Sequence, residues 1–244
     1  MKPMFGRRNV LALAQVGSAP ALVNVLAGFL LLASAAFTSA IFTSTLAETA
    51  KPIRIVAFGD SLSAGYGVRP SQSFPAQLQK ELKARGHNVV VANAGVSGDT
   101  SAAGLARLAW AIGDDADAVI VEFGANDALR GISPNVTREN MQKILTKLNE
   151  RRLPVLLTGM RAPTNWGDNY AEDFDAIFPD LAKEHSLIFY PFFLDGVIFD
   201  VKLNQQDGIH PNSKGVAAIV KGILPRVEEL IAKAAAQRTA ASKS

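Results

Sequence analysis

The chain holds three histidines, His87, His185 and His210, and no cysteine, so chemistry that needs an imidazole rests on very few candidates. His87 and His185 each stand just before an apolar run, where a surface or hydrogen-bonded histidine is the ordinary reading. His210 lies in "QQDGIHPN", with Asp207 three residues ahead. A carboxylate so placed in a turn can reach Nδ1, fix the tautomer and stabilise the imidazolium that forms when the ring takes a proton. Read alone, the same stretch is equally an Asp-Gly turn before a Pro-initiated helix. The hydroxyl that such a pair would activate is offered by "FGDSLSAGYG", Phe58 to Gly67, directly behind the apolar run "IRIVA". Gly, Asp and Ser all favour turns, but Ser61, leaving a strand and opening a helix, can also present its Oγ and its own N–H at a sheet edge.

Two further segments could supply donors. Gly95 in "NAGVSGDT" has no side chain, which lets a backbone N–H approach a substrate closely. Asn126 in "GANDALRG" carries an amide NH₂. Each by itself reads as a turn residue. Together with Ser61 N–H they make three donors for one oxyanion, and loss of one such donor typically costs about 2.7 to 4 kcal/mol of transition-state stabilisation.

Elements that would bring these residues together are visible in the pattern. "IRIVAFG" at Ile53, "NVVVANAG" at Asn88, "DAVIVEFG" at Asp117, "LPVLLTGM" at Leu153 and "SLIFYPFF" at Ser186 have the length and Val/Ile content of buried parallel strands. Between them, Phe74, Leu78 and Leu82 lie at helical spacing before Gly86, and Met141, Ile144, Leu145 and Leu148 share one helical face. A last helix is predicted from about Asn212 through Val216, Ile219, Val220, Ile223 and Val227 to Leu230. Strands alternating with helices imply an α/β fold, a three-layer α/β/α sandwich with a five-stranded parallel sheet and right-handed crossovers. Ligands bind such a sheet at the carboxyl ends of its strands, where "GDSLSAGYG", "NAGVSGDT", "GANDALRG" and "GMRAPTNWGDNY" all fall.

"FGDSLSAGYG", "NAGVSGDT", "GANDALRG" and "DGIHPN", in this order, resemble the four conserved blocks of the SGNH, or GDSL-type, hydrolases, whose fold is flavodoxin-like. "MRAPTNWGDNYAEDFDAIFPDLAKEH" from Met160 and "YPFFLDGV" from Tyr190 narrow the resemblance to the bacterial thioesterase I/protease I/lysophospholipase L1, or arylesterase, subgroup, over roughly residues 52–230. The resemblance implies Ser61 as nucleophile, His210 as base, Asp207 as its orienting partner, and Ser61 N–H, Gly95 N–H and the Asn126 amide as oxyanion hole. It implies a carboxylic ester hydrolase acting on small esters, acyl thioesters or lysophospholipids, with no cofactor, no metal and no obligate protein partner, and a monomer. Activity is expected to rise with pH as the histidine loses its proton. Met160 and Trp166 suggest an apolar acyl wall, or packing of their own loop; Trp166 stands where a tyrosine is expected. A carbohydrate acetylesterase and a non-catalytic binding module on the same fold are the alternatives, although a module that had lost its chemistry would be expected to lack one of Ser61, Asp207 or His210.

Other classes are excluded on chemical grounds. No serine sits in G-x-S-x-G, no P-loop or dinucleotide fingerprint occurs, and one well-placed histidine in a Cys-free chain is too few ligands for a zinc hydrolase. The net charge of +3 comes largely from Lys2, Arg7 and Arg8, offset by Glu48, and no basic stripe with interleaved aromatics marks a nucleic-acid surface. Those basic residues precede an uncharged stretch, Asn9 to Ala47, with its most apolar part at Ala21 to Phe42. Residues 1–50 therefore read as a secretory signal with a cleavage site near Thr45 and Ala47, or as a retained membrane anchor. The arginine pair in "GRRNVLAL" fits a twin-arginine signal. Export would place the hydrolase domain, 51–235, in the periplasm or medium; residues 236–244 read as a fraying tail. Without cysteine the exported protein can have neither a disulfide nor a lipid-modified N-terminal Cys.

Overall fold

A computed structural model of the chain describes residues 51–242; the signal or anchor predicted over 1–50 lies outside them. Five strands, β1 (Ile53–Gly59), β2 (Val89–Gly95), β3 (Ala118–Glu122), β4 (Val155–Thr158) and β5 (Ile188–Tyr190), form one sheet in the order β2-β1-β3-β4-β5, every pair parallel. This is the expected sandwich. The three inner strands are buried almost throughout, which is why they read as unbroken Val/Ile/Leu runs instead of alternating.

Among the described residues seven α-helices accompany the sheet: α1 (Ser61–Ala64), α2 (Phe74–Ala84), α3 (Ser101–Ala111), α4 (Ala125–Leu129), α5 (Pro134–Glu150), α6 (Asp168–Glu184) and α7 (Ser213–Ala241). α2 and α7 pack together on one face, and α3, α5 and α6 on the other. Their apolar stripes, Phe74, Leu78 and Leu82 on α2, Met141, Ile144 and Leu148 on α5, Phe174, Phe178 and Leu181 on α6, are fully buried. Burying each such side chain contributes about 1.5 to 3 kcal/mol. No helix among the described residues is long and apolar enough to cross a membrane.

The expected fraying tail is corrected by the structure. α7 continues to Ala241, and Arg238 donates to the carbonyls of Lys51 and Pro52 and pairs with Asp117, which also accepts from the Arg54 N–H. Alanine is the strongest helix former, and a guanidinium bound to three partners gives the last turns something to hold. Residues 236–241 are thus part of the domain.

The sheet reverses its winding between β1 and β3, both of which leave from neighbouring positions in opposite directions, so a crevice opens at their carboxyl ends. Gly59, last in β1, lies opposite Glu122 of β3 and Gly95 of β2. There is no room for a side chain at 59: a Cβ would lie 2.4 Å from Ser63 Oγ, 2.5 Å from Glu122 Oε2 and 2.6 Å from the Glu122 carbonyl. Gly59→Ala is expected to cost about 3 kcal/mol through overpacking, read as a lowered urea midpoint with unchanged slope. A midpoint equal to wild type would show that the turn relaxes freely.

Candidate active site

The turn after β1 is built by its own side chains. Asp60 caps α1, accepting from the Leu62 N–H at 3.0 Å, which starts the helix one residue after the strand ends. Ser61 is therefore the first helical residue, its N–H without an intrahelical acceptor and without a hydrogen-bond partner among the described residues. Gly65, in the left-handed region at φ 85°, ends the helix after four residues.

His210 arrives from the loop between β5 and α7. Its Nε2 lies 2.9 Å from Ser61 Oγ, and its Nδ1 lies 2.8 Å from Asp207 Oδ2. Asp207 also closes its own turn: Oδ1 accepts the N–H of Ile209 at 2.9 Å and of His210 at 3.0 Å. What burial it has pushes the Asp207 carboxyl up, but those two N–H groups and the imidazole outweigh it and bring it to about 2. The Tyr66 ring lies against the imidazole, centroids 4.6 Å apart, which holds the ring's plane. A serine hydroxyl, an imidazole and a carboxylate thus stand in one hydrogen-bonded line across 149 residues of sequence.

Asn126 opens α4 just beyond β3, and its Nδ2 donates to Asp60 Oδ2 at 3.1 Å. Asp60 thereby fixes both the nucleophile turn and the amide. It is fully buried; burial above all raises its carboxyl, to about 6, against the pull of the Leu62 N–H, Asn126 and His210.

The Gly95 N–H, expected to face the site, is already occupied. It is taken by Asn93 Oδ1 at 2.9 Å, and a Cβ on Gly95 would lie 2.2 Å from the Ala64 nitrogen. Position 95 is glycine because α1 crosses β2 at that point. Three residues on, Gly98 has φ 87° and an N–H with no partner among the described residues. Its carbonyl accepts from Arg130, at the end of the Asn126 helix, at 2.8 Å. The signal was present in "NAGVSGDT", which holds two glycines; spacing alone did not say which one α1 would pack against.

Trp166 also lies elsewhere than expected. Its Nε1–H donates to the Ala128 carbonyl at 2.8 Å and its ring lies over Gly131, so it braces the end of α4. Met160 does line a cleft of about 470 Å³ beside the site, with Leu129, Pro163, Phe192, Ile198 and Ile209. Ala125, next to Asn126, and Gly208, between Asp207 and His210, border it.

Sequence reasoning missed Arg107, whose guanidinium is buried on the Phe58 ring, 4.5 Å from its centroid. It donates to the carbonyls of Gly59 and Ala94 at 2.8 Å each and pairs with Asp99 at 2.5 Å. That one side chain ties the ends of β1 and β2 to the loop holding Gly98. Its place in "GLARL" on a helix gave no indication of burial.

A doubly wound parallel sheet that carries Ser, His and Asp in one line at its carboxyl edge has the architecture of the SGNH hydrolases. Comparison with known proteins agrees. Residues 57–218 match the GDSL-like Lipase/Acylhydrolase family, and the chain belongs to that family. The chain is 36% identical to "Esterase TesA" of Pseudomonas aeruginosa over 187 residues, 76% of this chain and 93% of that protein. It is 38% identical to "Thioesterase 1/protease 1/lysophospholipase L1" of Escherichia coli over 178 residues, 72% and 84% of the two chains. Among solved structures, that of TesA superposes with a TM-score of 0.69 over 72% of this chain and 99% of that one, at 36% identity. AlinE4, an SGNH-hydrolase family esterase, does so with a TM-score of 0.62 at 44% identity, over 73% and 96%. The chain is accordingly a carboxylic ester hydrolase.

Proposed function

We propose that Ser61 is the acyl-accepting nucleophile, His210 its base and later acid, and Asp207 the group that sets the imidazole tautomer. The observation that carries this reading is the unbroken line from Ser61 Oγ through His210 to Asp207 beside an apolar cleft. Asp207 accepts Nδ1–H, which leaves the Nε2 lone pair facing the serine hydroxyl. As Oγ bonds to the acyl carbon, its proton passes to Nε2 and the carbonyl oxygen takes up negative charge. Nε2–H then protonates the leaving alkoxide or thiolate, which departs and leaves the acyl-enzyme. Water repeats the sequence: its proton goes to Nε2, the acid leaves, and the proton returns to Oγ.

The oxyanion is met by Ser61 N–H, the Asn126 amide and, in place of Gly95, the Gly98 N–H. Support comes from the two unpartnered N–H groups and from the Arg130 bond that joins the Gly98 loop to α4. Asn126→Ala is expected to lower kcat about 10² to 10³-fold with a smaller change in KM, measured with a chromogenic ester. A raised KM with kcat unchanged would assign Asn126 to ground-state binding instead.

The cleft favours acyl esters and thioesters with an apolar chain, lysophospholipid among them, over a sugar acetate, since most of its lining is apolar, Leu129, Met160, Phe192, Leu194, Ile198 and Ile209, with Arg161, Thr164 and Asn165 as its polar part. Residues 1–50 we take as an export signal, with anchoring as the outcome if they are retained; N-terminal sequencing of exported protein decides. The test of the mechanism is reaction with a fluorophosphonate, followed by peptide mapping and a chain-length series of esters. Modification at Ser61 and a preference for longer acyl chains are expected; modification at another serine would overturn the assignment.

A further inference from the structure

Beneath the nucleophile turn lies a carboxyl group that the mechanism above does not use. Glu122 ends β3 and is fully buried. Its Oε2 accepts the Ser63 hydroxyl at 2.8 Å and the Asp60 N–H at 3.3 Å, with the Ser63 N–H also directed at the carboxyl. Oε1 is buried with no partner among the described residues. The absent side chain at Gly59 is what makes room for this group. Resting on the reading of Ser61 as nucleophile, we propose that Glu122 is a positioning residue: its carboxyl clamps the turn on both sides of Ser61, and one proton held by the Glu122–Asp60 pair keeps the clamp closed.

The proton has a place in this arrangement. A neutral acid can accept at Oε2 from Asp60 N–H and Ser63 while the proton resides on Oε1. An ionised Glu122 would face a second buried carboxylate, Asp60, whose Oδ atoms hold Leu62 N–H and Asn126. Two such charges repel and one of the pair stays protonated. The groups around the pair do not relieve it. Arg107 of α3 reaches the Gly59 carbonyl but is already paired with Asp99. Asp127 of α4 adds negative charge near Asp60, and only His210 acts the other way. Burial first, and then Asp60, hold the Glu122 proton well above the ordinary carboxylate range, against the pull of Ser63 and the Asp60 N–H. Because both carboxyls bind protons more tightly folded than unfolded, stability falls as pH rises above the ordinary carboxylate values. Loss of that proton would leave two buried carboxylates repelling each other, pushing Asp60 away from Glu122 and with it moving Ser61 and Asn126.

The experiment compares wild type, Glu122→Ala and Glu122→Gln, with Ser61→Ala alongside, on a soluble short-chain ester across pH and by thermal melting. Glutamine reproduces the neutral acid, an acceptor toward Asp60 and Ser63 and a donor at the Oε1 position, and cannot ionise. Glu122→Ala is expected to lose about 10²-fold in kcat, the scale of a misplaced reacting group, with little change in KM. Glu122→Gln is expected to restore most of that loss, to stay active at alkaline pH where wild type declines, and to melt above wild type there. If Glu122→Ala does not fold, the glutamine profile decides alone. An alkaline limit and melting behaviour in Glu122→Gln that coincide with wild type would overturn the proposal, as would a glutamine variant as impaired as the alanine one. An active Ser61→Ala would instead overturn the nucleophile assignment on which it rests.

Discussion

Ser61→Ala is expected to abolish ester hydrolysis, lowering kcat about 10⁶-fold. A remnant of about 10³ to 10⁴ over water should persist, because the oxyanion donors and the binding cleft remain. The substitution leaves the scaffold intact: α1 is capped by Asp60 and closed by Gly65, and neither bond uses the serine hydroxyl. His210 keeps Asp207 and Tyr66. Circular dichroism and melting temperature should therefore match wild type while turnover of a chromogenic ester disappears. Activity within tenfold of wild type in a folded Ser61→Ala protein would remove the proposed nucleophile.

Asp207→Asn should cost about 10⁴-fold in kcat through a change of tautomer instead of a loss of structure. The asparagine oxygen can still accept the Ile209 and His210 N–H groups that now reach Oδ1. Its NH₂ would then face Nδ1, which answers with its lone pair and moves the ring proton to Nε2, where it blocks transfer from Ser61. Proton positions read by NMR, together with kcat, check this directly. Stability follows the opposite pH course from that of Glu122. The Asp207 carboxyl is held down to about 2, so its contribution is present above its ordinary value of 3.8 and vanishes as pH falls through about 2. The group is half-exposed and solvent-screened, so the accompanying change in melting temperature at neutral pH should be small. A variant that keeps full activity would show that Asp207 does not set the tautomer.

How far the sequence could be read depended on whether a residue's role followed from its type. The strands were legible to within three residues at either end, most sharply the inner ones, because a strand buried on both faces must be apolar at every position. Ser61, Asp207 and His210 were legible because a hydroxyl, a carboxylate and an imidazole each do one thing in such an arrangement. Glycine is different: Gly95 and Gly98 are the same residue three positions apart, one cleared for the backbone of Ala64 and the other left with a free N–H, and only packing separates them. Three helices were not anticipated: the five-residue α4, whose Asn126 read as a turn residue, and α3 and α6. α3 buries Ser101, Gly104, Arg107 and Leu108, which gives no apolar period, and α6 carries Pro179 within an otherwise regular Phe174, Ile177, Phe178 and Leu181 stripe. Trp166 looked like a pocket wall because it is large and apolar; its indole N–H, satisfied by Ala128, determines where it lies.

The grip of Arg238 on Lys51 and Pro52 also makes the domain convenient to handle. It brings the beginning of β1 and the end of α7 within the length of one side chain, on the sheet edge opposite the one from which Ser61 emerges. A linker of a few residues could join these ends and allow new ones to be cut in a surface loop. A tag or solid support attached at either end would leave the catalytic edge facing outward, about 23 Å away along β1 at 3.3 Å per residue.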